Sequence, residues 1–476
     1  MIDSFLKFED KHDLLDMEIA KVKVWHLCRF QVYNEILKQK ENMGEAHANL
    51  TNMSKTKILL MKIKQIPNYV FFNPLCFLQQ KDMLVINHQR RVKIDSKYNC
   101  LYTDQWIEDI SSSYYVFEEP MLERHYRPIP TKHIRYTDYI TFMFSLSKRF
   151  KKFNISHSEK NIIKKLIQDI NKRFSVHINY NIWTKKITDI IHIYKYRYNK
   201  IEKILKKVRP KVIVEVVSYS PTRMAFTAAA KKIGIPVVEL QHGVIGSKAV
   251  AYNFQNRREL NMFPDYLFSF GQFWKDSARF PIDDANIKVV GWPFYENKIN
   301  QFEQEKLENK KNILFLSQGT VGEGLSKVAV DLNKLIDKTK YNIIYKLHPG
   351  EYSRWKEEYP NLIDSGVQVI DNNQYDMHHY FAKSDIQVGV YSTTLFEGLG
   401  YRLETYICRL FGYEYVEDLY KGRIAEIFDT AEELKEMIYK DKKGNQIDIE
   451  YFWAKDSKNK IIKYINTILV NGRIDE

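Results

Sequence analysis

The sequence predicts an α/β protein made of two Rossmann-like domains that face each other across a cleft, with extra helices at the amino-terminal end. From about residue 211 onward, short apolar runs alternate with helical segments, the mark of β-α-β units and a parallel sheet. That alternation begins afresh near residue 312, so the chain carries two such sets. At 476 residues it also exceeds what one ordinary core organises.

Residues 1 to about 65 read as helical, because Leu15, Ile19, Val22, Phe30, Tyr33 and Leu37 are spaced as one apolar face. His26 falls on that face and reads as structural. Met83 to Ile86 and Tyr114 to Phe117 are apolar runs suited to buried strands. Between Ser145 and Arg209, Lys-rich segments with Ile162, Ile163, Leu166 and Ile170, then Ile187, Ile190, Ile191 and Tyr194, read as two or three amphipathic helices.

Lys211 to Val217 is then a strand, Pro221 to Lys232 a helix, and Gly234-Ile235-Pro236 a turn into the strand Val237 to Leu240. Tyr266 to Phe270 and Ile287 to Val290 add two strands, and Gly291-Trp292-Pro293 ends the series. The second series runs through strands at Asn312 to Leu316, Asn342 to Leu347, Val367 to Ile370, Ile386 to Val390 and Thr405 to Ile407, with a helix at Leu395 to Gly400. The expected division is an acceptor domain over 1–293 with a Lys-rich insertion at about 148–211, a linker over 294–311, and a donor domain over 312–450. The segment 451–476, with a helix from Ile461 to Leu469, is expected to pack back on the first domain. No internal repeat or low-complexity tract is visible.

Composition narrows the class. Hydrophobic residues at 44% and charged residues at 28% are those of a folded soluble protein, and 14% aromatics exclude a largely disordered chain. No apolar stretch is long enough to span a bilayer, and the amino-terminal residues mix charges into their apolar run, unlike a signal peptide. Cys28, Cys76, Cys100 and Cys408 form no CxxC pair, which argues against zinc or a disulfide framework and for a reducing, cytoplasmic setting. The net charge of +14 is concentrated between Lys148 and Lys211, where 19 Lys/Arg stand against Glu159, Asp169, Asp189 and Glu202, a local net of +15. Such a segment suits anionic inner-leaflet lipid, nucleic acid or an anionic glycan, or is simply a solvated helix face. Tyr194, Tyr196 and Tyr198 within it would stack bases, but nucleic-acid binding leaves the strand-end motifs below unexplained.

Ligands of open α/β sheets bind beyond the carboxyl ends of strands, and the residues there are distinctive. His242, in Gln241-His242-Gly243, is either a general base or a histidine bonding its own turn. Ser317-Gln318-Gly319-Thr320 joins a strand to a helix, where amides, hydroxyls and the helix dipole favour phosphate; it is neither a Walker A loop nor GxGxxG. Lys346, His348 and Pro349 put a cation and an imidazole on a rigid turn, suited to a leaving phosphate. Ser392 and Thr393 read as a helix cap and anion cradle, with Glu397 one turn in, placed for a ribose or for plain capping. Asp104, Glu118 and Glu119 are alternative bases to His242, although each taken singly reads as a surface group. His378-His379 has no companion ligands and reads as structural, and no DxD stands at a strand end, which disfavours a metal-dependent sugar-nucleotide site.

The order QHG (Gln241 to Gly243), HPG (His348 to Gly350) and STTLFEGLGY (Ser392 to Tyr401) resembles bacterial GT-B glycosyltransferases of capsule and lipopolysaccharide assembly. Within them it is similar to the sialyltransferase and polysialyltransferase type and to CDP-glycerol glycerophosphotransferases, over roughly residues 211–410. The resemblance implies His348 on the donor phosphate, Ser392 and Thr393 on the phosphate or nucleotide, Glu397 toward the ribose or sugar, and His242 as acceptor-activating base. It implies a metal-independent transfer of a sialic acid-like or Kdo-like sugar from a CMP-activated donor to a hydroxyl of a capsule, lipopolysaccharide or O-antigen glycan. No cofactor beyond the nucleotide sugar is expected, and the acceptor is a glycan or lipid-linked glycan; a cytoplasmic protein is expected, with the basic segment 148–211 offering peripheral contact with anionic lipid at the inner face of the cytoplasmic membrane. A CDP-alditol phosphotransferase and a nonhydrolysing sugar-nucleotide epimerase are the alternatives. The sequence departs from the glycerophosphotransferases at Gln241, where they carry tryptophan, and at Tyr401 to Thr405.

Overall fold

The computed structural model describes residues 1–40, 60–61, 63–121, 124–150, 153–302, 310–440 and 448–474. The chain divides into two compact units, the first made of Met1–Ser269, Ala278–Val290 and Asp456–Glu476, the second of Phe270–Ser277 and Gly291–Lys455.

The first unit opens with a helix, Ile2–Lys11, and a hairpin of β1 (Glu18–Ile19) and β2 (Val22–Lys23) leading into the helix Val24–Lys40. The helical reading of residues 1 to about 65 is therefore interrupted between Lys11 and Val24. Asp13, Ala20 and Lys21 all adopt positive φ, which no α-helix accommodates, so Leu15, Ile19 and Val22 bury from a tight turn and a hairpin instead. The expected helical stretch from 41 to 59 lies outside the described residues. His26 is buried edge-on to Phe254, as a structural histidine, and burial pushes its pKa down to about 3.

Next come β3 (Met83–Ile86), the hairpin of β4 (Val92–Ile94) and β5 (Lys97–Asn99), and then β6 (Tyr114–Glu118), β7 (Ile134–Tyr136), β8 (Val212–Val216), β9 (Val237–Leu240), β10 (Tyr266–Ser269) and β11 (Ile287–Val289). Seven of them form a sheet in the order β11-β10-β9-β8-β3-β6-β7, every pair parallel. Alternate residues feed opposite faces: Leu84, Ile86, Ile213 and Val237 join one core, while Met83, Val85, Val212, Val214 and Val238 join the other. Both faces are covered, which is why these strands read as continuous apolar runs. The carboxy-terminal helix Ser457–Asn471 covers the second face through Ile461, Ile465 and Ile468.

The Lys-rich segment folds as three helices, Asp138–Phe150, His157–Phe174 and Tyr180–Val208, with Lys151 and Lys152 outside the described residues. They are integral to the first unit, since Ile163, Leu166, Ile170, Ile187 and Ile191 lie in its core. Ser156 and Glu159 form a capping box at the second of them.

The second unit holds β12 (Lys311–Leu316), β13 (Tyr341–Lys346), β14 (Gln368–Ile370), β15 (Ile386–Gly389), β16 (Glu404–Cys408) and β17 (Glu426–Phe428), a parallel sheet in the order β14-β13-β12-β15-β16-β17. The stretch expected as a linker opens instead with the helix Pro293–Phe302, which belongs to the second unit, because Pro293 suits a first helical turn and Phe294 and Tyr295 bury against His378. Its continuation, 303–309, and residues 441–447 lie outside the described residues.

In each of these two sheets the first strand, β3 or β12, lies in the interior. The chain winds outward to one side of it and then returns to its other side, giving the doubly wound order with the reversal between β3 and β8 in the first sheet and between β12 and β15 in the second. Both units are thus Rossmann-like, as the sequence predicts.

Candidate functional site

In the second unit, β13, β12 and β15 are neighbours, so the loops leaving their carboxyl ends emerge side by side at the reversal point. Glu351, fully buried just past β13, ties two of them together. One carboxylate oxygen accepts from the Ser317 hydroxyl at 2.9 Å and the Tyr359 hydroxyl at 2.7 Å, and the other accepts the His348 backbone N–H at 2.6 Å. Gln318 ties the third, its side-chain oxygen accepting the Tyr391 N–H at 3.3 Å, and the Thr320 and Tyr391 hydroxyls share a hydrogen bond.

His348 stands exposed on this frame. Its Nδ1 accepts the Gly350 N–H at 3.1 Å, so in the neutral ring the proton sits on Nε2 and that nitrogen is a donor. Pro349 sits in the same turn. Arg354 approaches Gly319 closely: a Cβ there would come 2.9 Å from a guanidinium nitrogen, which would have to move aside. Arg354, whose Nε donates to the Gly350 carbonyl at 3.1 Å, brings an exposed cation to the loop that sequence reading missed.

Two expected phosphate ligands are turned inward. The Ser317 hydroxyl donates to Glu351 and accepts from Tyr345 at 3.1 Å in a buried setting. The Lys346 ammonium is buried, donating to the Tyr352 hydroxyl at 2.6 Å and the Asn372 carbonyl at 2.9 Å, and burial pulls its pKa down to about 8. Both brace the loops.

The helix Thr394–Gly400 begins as expected, but Thr393 at its N-cap makes no side-chain cap; Ser392 Oγ instead accepts the Thr394 N–H at 3.2 Å. Glu397 is half-buried, with one carboxylate oxygen 4.0 Å from His378 Nε2. His378 is structural, bonded through Nδ1 to the Tyr401 hydroxyl at 3.0 Å, and burial lowers its pKa to about 4.

The first unit has a second cluster at its own reversal point. Past β8, Val217 holds φ at 70°, an uncommon strain for a β-branched residue, and Ser218 N–H is anchored on Glu239 at 3.0 Å. This directs the following residue, Tyr219, to His242 past β9, its hydroxyl 3.2 Å from His242 Nε2. The His242 carbonyl accepts from the Tyr102 hydroxyl at 2.6 Å, and the ring lies nearly parallel to that of His88, which follows Asn87 at the end of β3, with centroids 6.2 Å apart. Burial, then the neighbouring His88, pushes the His242 pKa down to about 3; burial, then Arg223, takes His88 to about 4. His242 Nδ1 is buried with no hydrogen-bond partner. Both rings are neutral at neutral pH.

The three alternative carboxylates are committed elsewhere. Arg91 lies 2.8 Å from Asp104 and 2.7 Å from Glu118 in a buried cluster, where Asp104 also accepts the Thr131 hydroxyl at 2.7 Å and Glu118 contacts His125 at 3.3 Å. Glu119 accepts from Arg223 at 2.7 Å and the Thr222 hydroxyl at 2.9 Å. Burial raises its pKa, but the Arg223 and Arg197 charges outweigh this and hold it below the usual range. Among the described residues no group of three or more His, Cys, Asp or Glu could hold a metal ion.

No family model matches the chain, and no curated protein does. Among solved structures it is similar to the UDP-GlcNAc 2-epimerase of Methanocaldococcus jannaschii, at 15% identity and a TM-score of 0.48 over 81% of this chain and 99% of that one. It is similar to the UDP-GlcNAc 2-epimerase of Neisseria meningitidis, at 14% identity and 0.47 over 80% and 98%. It is also similar to the wall teichoic acid polymerase TagF, at 12% identity and 0.43 over 90% and 99%.

Proposed function

We propose that this protein is a metal-independent GT-B-type glycosyltransferase that moves a sialic acid-like or Kdo-like sugar from a CMP-activated donor to a hydroxyl of a bacterial surface glycan. The observation that supports it is the Glu351 clamp, which brings the loop with Gly319 and Thr320 to the loop with His348 and Arg354 at the reversal point of the second unit. In this reading the His348 Nε2–H and the Arg354 guanidinium meet the donor phosphate, with Ser392 and Thr393 beside it. Charge that develops on the leaving phosphate is met by donors already in place, each worth about 3 kcal/mol in sites of this kind. Glu397 faces the ribose or sugar. His242 takes the acceptor proton, with Tyr219 bonded to its Nε2. The acceptor is a glycan or lipid-linked glycan at the inner membrane face, and the Lys-rich helices contribute attraction to anionic lipid. Among the described residues no helix is long and apolar enough to cross a membrane.

Thermal melts with CMP, CDP, UDP and GDP test the donor site, since a ligand bound only by the folded state stabilises it by about 2.7 kcal/mol at a hundredfold excess over Kd. CMP is expected to raise the melting temperature of the parent and not of His348→Ala. A chain that responds to none of the four has no donor site of this kind. Transfer is expected to persist in EDTA. Conversion of a sugar nucleotide to its epimer without acceptor would favour the epimerase reading instead.

A further inference from the structure

We propose that a helical stripe running from Leu60 to Phe71 docks the protein on an anionic lipid bilayer. The proposed function already sets the protein at an anionic membrane face through its Lys-rich helices; this stripe is a separate, apolar contact and does not depend on the transfer activity. Residues 60–61 and 63–64 are helical, and after a turn at Gln65 the helix Ile66–Phe71 follows, with Pro67 in its first turn. Exposure divides the described residues: Leu60, Ile63, Ile66, Pro67, Val70 and Phe71 are exposed, whereas Met61, Gln65, Asn68, Tyr69 and Phe72 are buried or partly covered. The second set faces the protein, for Met61 and Gln65 are buried and Tyr69 stacks on Phe142 at 5.2 Å.

The first set is wholly apolar and faces solvent. Leu60 is 55% exposed, Ile63 50%, Ile66 52%, Val70 56% and Phe71 74%. Single exposed apolar residues are ordinary, but a row of them on one helical face marks an interaction surface. Phe77, further along the same segment, is 85% exposed.

Charge selects the occupant. The sequence has no acidic residue between Glu45 and Asp82, while Lys64 lies exposed beside the stripe. Arg127 holds the other side of the helix to the protein, donating to the Asn68 side-chain oxygen at 3.3 Å and lying 4.3 Å over the Phe72 ring. An apolar face with an exposed lysine at its margin and no acid anywhere in the surrounding segment 46–81 suits burial at the level of acyl chains beneath anionic headgroups, where a long basic side chain reaches back to the phosphates.

The test is flotation of the full chain with vesicles of phosphatidylcholine alone and of phosphatidylcholine mixed with phosphatidylglycerol. The parent is expected to float with the mixed vesicles and to stay largely behind with phosphatidylcholine alone. Val70→Glu/Phe71→Glu is expected to cut the floated fraction at least tenfold. Val70→Ser/Phe71→Ser, which adds no charge, is expected to cut it comparably, both with unchanged melting temperature. A parent that does not float, or a serine variant that floats as well as the parent, overturns the proposal. So does a parent that forms a dimer dissolved by these substitutions without floating, since the stripe would then be covered by a second copy.

Discussion

Glu215 and Glu239 are register partners on neighbouring parallel strands of the first unit, both fully buried, and each has one carboxylate oxygen without a hydrogen-bond donor. Their other oxygens are satisfied, by the Thr227 hydroxyl at 3.0 Å for Glu215 and by Ser218 N–H and the Tyr252 hydroxyl for Glu239. Burial, then the neighbouring Glu239 carboxylate, raises the Glu215 pKa well above its usual 4.5; burial raises that of Glu239. A carboxyl with a raised folded pKa binds its proton more tightly when folded. Its contribution to stability is whole below pH 4.5 and is lost as pH rises through the folded value.

Glu215→Gln keeps the Thr227 bond and removes the charge. Its melting temperature is expected to match that of the parent near pH 4.5 and to exceed it increasingly as pH rises to 8, by about 2–4 °C per kcal/mol recovered. Melting curves across that range check this; parallel curves for the two proteins would mean that the pair does not carry the linkage.

Glu351 gives a prediction that separates stability from binding. In Glu351→Ala three donors lose their acceptor at once, the Ser317 and Tyr359 hydroxyls and the His348 amide, and buried donors left unpaired cost about 1–3 kcal/mol each. Glu351→Gln can keep the two hydroxyl bonds on its oxygen but sets an NH2 against the His348 N–H. The alanine variant is expected to melt well below the parent. The glutamine variant should lose less stability, yet show a clearly smaller thermal shift with nucleotide, because the His348 turn is released. Equal nucleotide shifts in parent and glutamine variant would detach the clamp from binding.

All the strands of the two sheets except β7 and β17 were legible because a parallel strand covered on both faces is a bare apolar run, and Met83–Ile86 and Val237–Leu240 are such runs. What those runs do not carry is order. That β12 lies between β13 and β15 depends on pairing across distant chain, and only then do the Ser317, His348 and Ser392 loops become neighbours. Glu426–Phe428 escaped notice because a strand of three residues with a charged end has no pattern of its own. The amino-terminal helix misled because left-handed turns usually advertise a glycine, whereas here Asp13, Ala20 and Lys21 adopt them. Lys346 looked like a free cation since both faces of its strand are buried and no alternation reveals that its ammonium is bound inside. Glu351 carries no sequence signal, and its role depends on pairing with Ser317, 34 residues away, as well as with the nearby His348 amide and Tyr359 hydroxyl.

Arg91 balances two buried carboxylates, Asp104 and Glu118. Arg91→Ala strands both charges without their cation, and breaking a buried pair costs about 3–5 kcal/mol. Denaturant unfolding should show a loss of that size. Glu118→Gln, by contrast, is expected to lower stability while leaving the pH profile of transfer unchanged. A changed profile in a variant that remains folded would restore Glu118 as a base.

Tyr219 and His242 lead to the prediction that bears most directly on the acceptor proton. Burial, then the neighbouring His88, holds His242 near 3, and burial, then the Arg223 charge, holds His88 near 4, so neither ring changes charge between pH 5 and 8. The transfer rate is therefore expected to show no limb near 6.5, where an open imidazole would titrate. Tyr219→Phe removes the hydroxyl bonded to His242 Nε2, leaving that nitrogen without this partner in a ring whose Nδ1 already has none. The expected result is a fall in kcat of about a hundredfold, the lower range for loss of a group assisting proton transfer. The nucleotide-induced shift in melting temperature should remain, because that ligand is assigned to the second unit. A Tyr219→Phe enzyme with unchanged kcat, or a parent with a titration near 6.5 that His242→Ala abolishes, would show that the imidazole works exposed and alone.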